Sequence, residues 1–317
     1  MDLTVVVPCF NEQRALPHLH DALCRVLPRL ATEYEIVVVD DGSTDRTLPQ
    51  VRALAAVDSR LGFVSLSRNF GKEAALLAGL QRARGRRVAI MDADLQHPPE
   101  LLGRMLALLD DGRDQVVACR DRRHEPLSRA LPAKLFYRVF NGFRGLRIPA
   151  GAGDYRVLSQ RAVQALLALP EQHRFSKGLF AWIGFDTAHV PLPHVPRRGG
   201  RSKWSRRGLL EYALDGFFSF HHKPLRFAVH LGAALVLGSL SGLVAGVPAL
   251  FAGVLAVCGV QLGCLGLIGE YLGRIHLETK HRPHFLVKET GGRAADRGSA
   301  VLCGASADPV QGELWSA

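Results

Sequence analysis

The sequence has little of what would hold a small cross-linked scaffold together. Six cysteines are spread over 317 residues, at 9, 24, 119, 258, 264 and 303. None forms CxxC or CxxH, and there is no HExxH, so neither a thioredoxin-like pair nor a zinc cluster is indicated by spacing. No GxGxxG follows the first strand-like run, which disfavours a dinucleotide fold, and the lack of GxxxxGK[ST] disfavours a P-loop NTPase. Acidic residues are also scarce: 29 Asp+Glu face 40 Lys+Arg, giving a net charge of +11. Nucleic-acid binders are basic, but a chain that is 48 % hydrophobic is unusually apolar for that class. Basic charge with concentrated apolarity points to a membrane on its anionic, cytoplasmic side. Disorder of the whole chain is excluded by the abundance of core-forming side chains.

The most telling absence is local. Phe227 to Ile268 is a run of 42 residues without Asp, Glu, Lys or Arg. One transmembrane helix needs about 20 apolar residues. The run is read as a two-pass hairpin, Phe227–Val247 and Ala249–Gly269, turning at Pro248; a pair of buried core helices is the alternative. Lys223 and Arg226 precede it, and Arg274, Lys280 and Arg282 follow, which places both flanks on the cytoplasmic side. Met1-Asp2 leads directly into an apolar run, with no charged leader or cleavage site. The expectation is a multi-pass protein of the cytoplasmic (inner) membrane with its N-terminal domain and reduced cysteines in the cytosol. The expected domains are a cytosolic domain at 1–205, an interfacial helix at 206–226, the hairpin at 227–269, a cytosolic segment at 270–290 and a disordered tail at 291–317. A second interfacial helix is expected where Leu131, Leu135, Phe136, Val139, Phe140 and Phe143 share a face.

What is present at the N-terminus is an alternation of short apolar runs and helix-period segments. Leu3–Pro8, Glu35–Asp40, Leu61–Ser67 and Arg87–Asp92 read as buried strands. Arg14–Leu30, Thr44–Val57 and Gly71–Ala83 read as helices. This order implies an α/β domain with a mainly parallel sheet covered by helices on both faces. Ligands of such sheets bind beyond the carboxyl ends of the strands. Those ends carry carboxylates here: Asp40 and Asp41 after the second strand, Asp92 and Asp94 after the fourth. Carboxylates at a ligand mouth repel a bare phosphate. They suit a diphosphate bridged by Mg²⁺ or Mn²⁺, for which Asp94, Gln96 and Asp92 are the candidate ligands. An isolated Asp-x-Asp can equally be a solvated loop. Lys72, at a helix start, can counter a ligand's phosphates or remain a surface lysine. Gly42 and Ser43 suit a turn and a helix cap.

Read in order, VVVPCFNE (5–12), DDGSTDRT (40–47), SRNFGKEAALLAGL (67–80), DADLQHPPE (92–100), AGDYRVL (152–158), KGLFAWIGF (177–185), RSKW (201–204), KPLRF (223–227) and IGEYLGRIHLETKHRP (268–283) resemble a known family. The chain resembles family 2 glycosyltransferases of the polyprenyl-phosphate type, similar to dolichyl-phosphate mannosyltransferases and bactoprenol glucosyltransferases. The resemblance spans about residues 1–287. It implies a GT-A type nucleotide-sugar domain followed by membrane helices. It also implies inverting transfer of one sugar from a UDP- or GDP-sugar to a polyprenyl phosphate, and a homo-oligomer, with a tetramer expected in the bacterial branch. Three departures stand out: His97 occupies a usually acidic position, Phe10 replaces a common Tyr, and the membrane hairpin is short.

Carried over by resemblance, Pro8, Phe10 and Glu12 hold the base and ribose, with Phe10 offering a ring face. Asp41 accepts hydrogen bonds from the base, Asp40 supports the loop, and Asp92 addresses the ribose-phosphate. Asp154 lies near the reacting centre, to orient the acceptor or sugar or to act as base. Arg201 and Lys203, with Arg198 and Ser202, belong to a loop that closes over the diphosphate. Arg120 and Arg123 are candidates for the acceptor phosphate, since a guanidinium fork holds two phosphate oxygens. Two rival readings are a processive polysaccharide synthase, whose QxxRW motif is missing, and a catalytically silent membrane scaffold, against which Asp92, Asp94, Gln96 and Asp154 together argue.

Overall fold

The first apolar run becomes β1 (Leu3–Cys9), and the second becomes β2 (Tyr34–Asp40); every residue of both is buried. In the computed structural model, residues 1–120, 151–172, 174–192 and 247–293 are described. The remaining strands are β3 (Leu61–Leu66), β4 (Arg87–Ile90), β5 (Gln115–Arg120), β6 (Ala152–Ser159), β7 (Thr187–Leu192) and β8 (Val287–Gly292). Together they form an eight-stranded sheet in the order β7-β5-β6-β4-β1-β2-β3-β8. The expected parallel core is present, with β4, β1, β2 and β3 pairing in parallel. Strand β6 runs antiparallel to β4 and β5, and β8 antiparallel to β3.

Strands this rich in valine suit a sheet buried on both faces. Alternation of side chains then splits the core in two. Leu3, Val5, Val7, Ile36 and Val38 pack with Leu16, Leu19 and Leu23 of α1 (Leu16–Val26) and Val51 of α2 (Thr47–Val57). Leu102, Met105 and Leu106 of α4 (Leu101–Asp110) join the same core. On the other face, Val37, Val39 and Val64 meet Ala74, Ala75, Leu77 and Ala78 of α3 (Lys72–Arg82). Full burial of each such Leu or Val contributes about 1.5–3 kcal/mol. Two shorter helices follow, α5 (Gln160–Leu167) and α6 (Ser176–Trp182).

The C-terminal region departs from expectation in two places. Strand β8 includes Gly291 and Gly292, where the sequence predicts a disordered tail, and the chain returns there to the edge of the sheet. Its sequence, VKETGG, lacks an apolar alternation because an edge strand is held chiefly by main-chain pairing. Gly291 is required by proximity, since a Cβ there would lie 2.3 Å from the Phe63 ring. Residues 1–206 and 283–317 accordingly make one unit and 207–282 another.

Within the second unit, α7 (Val247–Thr279) is one helix of 33 residues. Pro248 sits in its first turn, where a missing N–H costs nothing. The helix does not stop at Gly269, as the hairpin reading had it, but continues for another ten residues through Thr279. Val254, Leu262, Leu265, Leu272 and Ile275 are exposed on it. Among the described residues, no helix is long and apolar enough to cross a membrane. The first expected pass, apart from Val247, and both expected interfacial helices lie outside the described residues.

Candidate active site

The carboxyl ends of β1 to β4 bring the sequence motifs together. Asn11, just after β1, adopts φ +54°. Its Oδ1 accepts the Thr44 N–H at 2.8 Å, and its own N–H donates to Ser43 Oγ at 2.9 Å. The Glu12 N–H donates to Thr47 Oγ1 at 2.9 Å. The FNE and DGST segments are therefore stitched to each other. Ser43 does not cap the next helix, which begins only at Thr47; instead its hydroxyl is used by Asn11.

Asp40 supports the loop as expected, accepting the Ser43 N–H at 3.1 Å and the Ser65 hydroxyl at 2.9 Å. Asp41 was expected to face the base. Both of its oxygens accept backbone N–H groups, from Phe70 at 2.8 Å and Gly71 at 3.0 Å. Burial pushes its carboxyl up to about 6 against those two hydrogen bonds, which work the other way. Gly42 between these contacts has φ +66°, and a Cβ there would sit 2.3 Å from the Arg68 carbonyl carbon. Only glycine fits both constraints.

Lys72, the first residue of α3, makes two ion pairs. Its ammonium lies 2.6 Å from Asp92 Oδ1 and 2.6 Å from Asp154 Oδ2. Thus β4, α3 and β6 converge on one ion triad. Burial works against the ammonium, but the two carboxylates outweigh it and hold its pKa above the ordinary lysine value. For Asp154, burial opposes ionisation, while Lys72 foremost, together with Lys177 and Arg156, holds its carboxyl well below the usual range. A carboxylate held this low is a weak base near neutral pH.

The Asp-x-Asp loop is strained. Leu95 has φ +60°, an uncommon conformation for a branched residue that clusters at functional sites. Asp94 Oδ1 accepts the Gln96 N–H at 3.1 Å. His97 is buried, stacks on Tyr155 with ring centroids 4.8 Å apart, and accepts the Asp92 N–H on Nδ1 at 3.2 Å. Burial lowers its pKa, so a neutral ring with the proton on Nε2 fits the geometry. The residue at a usually acidic position thus props the loop from behind. Two hard carboxylates at one strand end suit Mg²⁺ or Mn²⁺. Of the two, Asp92 receives the Lys72 ammonium.

Other expected residues divide by location. Pro8 is buried within β1, while Phe10 and Glu12 are partly buried just beyond it. Arg120 closes β5, its backbone in register with Leu192. Arg123, Arg198, Arg201, Ser202 and Lys203 lie outside the described residues. Sequence reasoning assigned no role to Lys177 or Glu73. Glu73 accepts the Ser176 N–H at 3.0 Å and also its hydroxyl, tying α3 to the start of α6. That tether brings Lys177 to bear on Asp154. The signal lies in the lysine that opens KGLFAWIGF.

The comparisons with known proteins converge. The model of "Glycosyl transferase family 2" matches residues 4–167. CsbB of Bacillus subtilis (strain 168), a protein named as a glycosyltransferase, is 44% identical over 300 residues, covering 90% of this chain and 91% of its own. The bactoprenol glucosyl transferase of Shigella phage SfV is 36% identical over 304 residues, covering 91% of this chain and 98% of its own. Among solved structures, Staphylococcus aureus TarS 1-349 in complex with UDP-GlcNAc aligns with TM-score 0.47 and 17% identity, over 74% of this chain and 81% of that one. On the family match and these relatives, the α/β domain is of GT-A type and the chain belongs to glycosyl transferase family 2.

Proposed function

We propose that this glycosyltransferase moves a single sugar from a nucleotide-diphosphate sugar, UDP- or GDP-linked, to a polyprenyl phosphate, with inversion at the anomeric carbon. The observation that carries the reading is the Asp92–Lys72–Asp154 triad at the carboxyl ends of the sheet. It supplies charge and position, yet no basic carboxylate. That matches an acceptor needing no deprotonation: a phosphate monoester has its second pKa at about 6 and is largely dianionic in the cytosol. Such a nucleophile requires placement and charge neutralisation. The relatives named as bactoprenol glucosyl transferases, alignable over nearly their whole length, support the same acceptor class.

In this reading, Pro8, Phe10 and Glu12 line the nucleotide end. Asp41 holds the Phe70–Gly71 backbone so that Lys72 enters the site at a fixed place. Asp154 keeps Lys72 oriented and helps position the acceptor or sugar. Arg120, with Arg123, engages the acceptor phosphate, and Arg201 and Lys203 cover the diphosphate. Asp94, with Asp92 and Gln96, would hold Mg²⁺ or Mn²⁺, which supplies Lewis-acid neutralisation of the leaving nucleoside diphosphate.

The 42-residue charge-free run supports a membrane hairpin at 227–269, with the catalytic domain at the cytoplasmic face of the inner membrane. Assembly as a homo-oligomer, such as a tetramer, completes the proposal. The test combines membranes carrying the protein with a panel of labelled UDP- and GDP-sugars, polyprenyl phosphate and Mg²⁺ or Mn²⁺. One donor should give chloroform-soluble label, lost in Asp94→Ala. Label from no donor, or an unchanged Asp94→Ala, contradicts the proposal.

A further inference from the structure

Away from the strand ends, His20 and Cys24 stand one turn apart on α1, facing Asp58 at the end of α2. His20 Nε2 lies 3.1 Å from Asp58 Oδ2, Cys24 Sγ lies 3.5 Å from His20 Nε2, and Cys24 Sγ lies 3.6 Å from Asp58 Oδ2. Three different ligand atoms therefore form a small triangle. Around a tetrahedral zinc ion, with bonds of about 2.0–2.3 Å, the corresponding edges are about 3.4–3.6 Å. Closing the site takes a shift of a few tenths of an ångström on the His–Asp edge.

The surroundings resemble the support a metal ligand needs. Arg60 Nε donates to Asp58 Oδ1 at 2.8 Å, its Nη2 reaches Oδ2 at 3.2 Å, and its backbone N–H also donates to Oδ1, at 3.0 Å. Arg60 in turn donates to the Tyr34 hydroxyl. The shorter contacts fall on Oδ1, so Oδ2 is the oxygen turned to His20 and Cys24. Such partners orient a coordinating carboxylate. The His20 and Asp58 side chains keep 12% and 7% exposure, enough for an ion to enter from the edge.

The geometry points to a zinc site formed by His20, Cys24 and Asp58, separate from the carboxylate mouth, with a fourth position open to water. A thiol and an imidazole select a borderline ion such as Zn²⁺ over the hard Mg²⁺ or Mn²⁺ suited to Asp94. On binding, the Cys24 S–H proton leaves to solvent and a sulfur–zinc bond forms. The ion would pin α1 to the end of α2, behind the loops that carry Asn11 and Ser43.

The test uses the full chain in detergent, stripped with chelator and given Co²⁺ in place of Zn²⁺, with Mg²⁺ in large excess. A thiolate–cobalt charge-transfer band should appear at one ion per chain and be abolished by Zn²⁺. It should persist in Asp94→Ala and be lost in Cys24→Ser and in His20→Gln, with sugar transfer retained in both. Protection of Cys24 from alkylation by Zn²⁺, mapped by mass spectrometry on the unmutated chain, gives a reading that does not depend on a variant folding. Absence of the band, its survival in Cys24→Ser, or alkylation of Cys24 unaffected by Zn²⁺ overturns the site and leaves the trio a hydrogen-bonded contact.

Discussion

Lys72 is the residue on which the site's electrostatics turn. Replacing it by Met leaves Asp92 and Asp154 without their shared counter-ion. The Asp154 carboxyl should then rise, since Lys72 is foremost among the groups that hold it down, although Lys177 and Arg156 remain. Transfer should fall by about 10²-fold or more, with the acid limb of the pH–kcat/KM profile moved to higher pH. An unshifted limb would show that the triad does not govern the ionisation that matters. Asp41 makes a different prediction. Its carboxyl is raised from 3.8 to about 6, so the folded chain binds its proton more tightly than the unfolded chain. Stability should therefore decline as pH rises through that window, by about 3 kcal/mol at most. Urea unfolding from pH 4 to 7 should show this decline in the parent and a flatter curve in Asp41→Asn. Asp94, Asp92, Lys72 and Asp154 were all legible as candidate residues, the first three from strand and helix ends and Asp154 through resemblance. Their pairing was not: Lys72 meets a partner 82 positions away, and Asp41 reaches backbone groups 29 and 30 positions on. Side-chain type does not encode such distances.

At the scale of elements, β8 deserves a mutation of its own because no periodicity announced it. Gly291→Val would force a side chain against the Phe63 ring and should cost about 1–3 kcal/mol. Truncation before Val287 should lower the thermal midpoint further, by uncovering the β3 edge. If Gly291→Val melts with the parent, β8 does not pair with β3 in solution. The Arg52–Glu289 pair, which joins α2 to β8 at 2.6 Å, is open to solvent on the Arg52 side and should contribute little by comparison. The first four strands were legible because each is a short segment dominated by buried apolar residues and followed by a turn. Helix α1 was legible from Leu16, Leu19 and Leu23 at helical spacing. Strand β8 and the extension of α7 beyond Gly269 were not. One depends on pairing with a strand more than 200 residues earlier, and the other continues through Glu270 and Arg274, where the apolar signal ends.

For the whole molecule, basic charge and apolarity were visible before any fold. In the proposed account they serve two anionic substrates and a bilayer. Single cysteines placed at 235 and 257 in a chain whose six native cysteines are replaced should resist a water-soluble maleimide in membranes; full labelling of both would remove the hairpin. The central claim, however, concerns the bond that is made. Phosphorus NMR of the lipid after incubation with the purified chain, the active sugar nucleotide and Mg²⁺ reads it directly. The account predicts that the polyprenyl phosphate monoester signal is replaced by that of a phosphodiester carrying one sugar. A lipid that remains a monoester while the nucleotide sugar is consumed would contradict it.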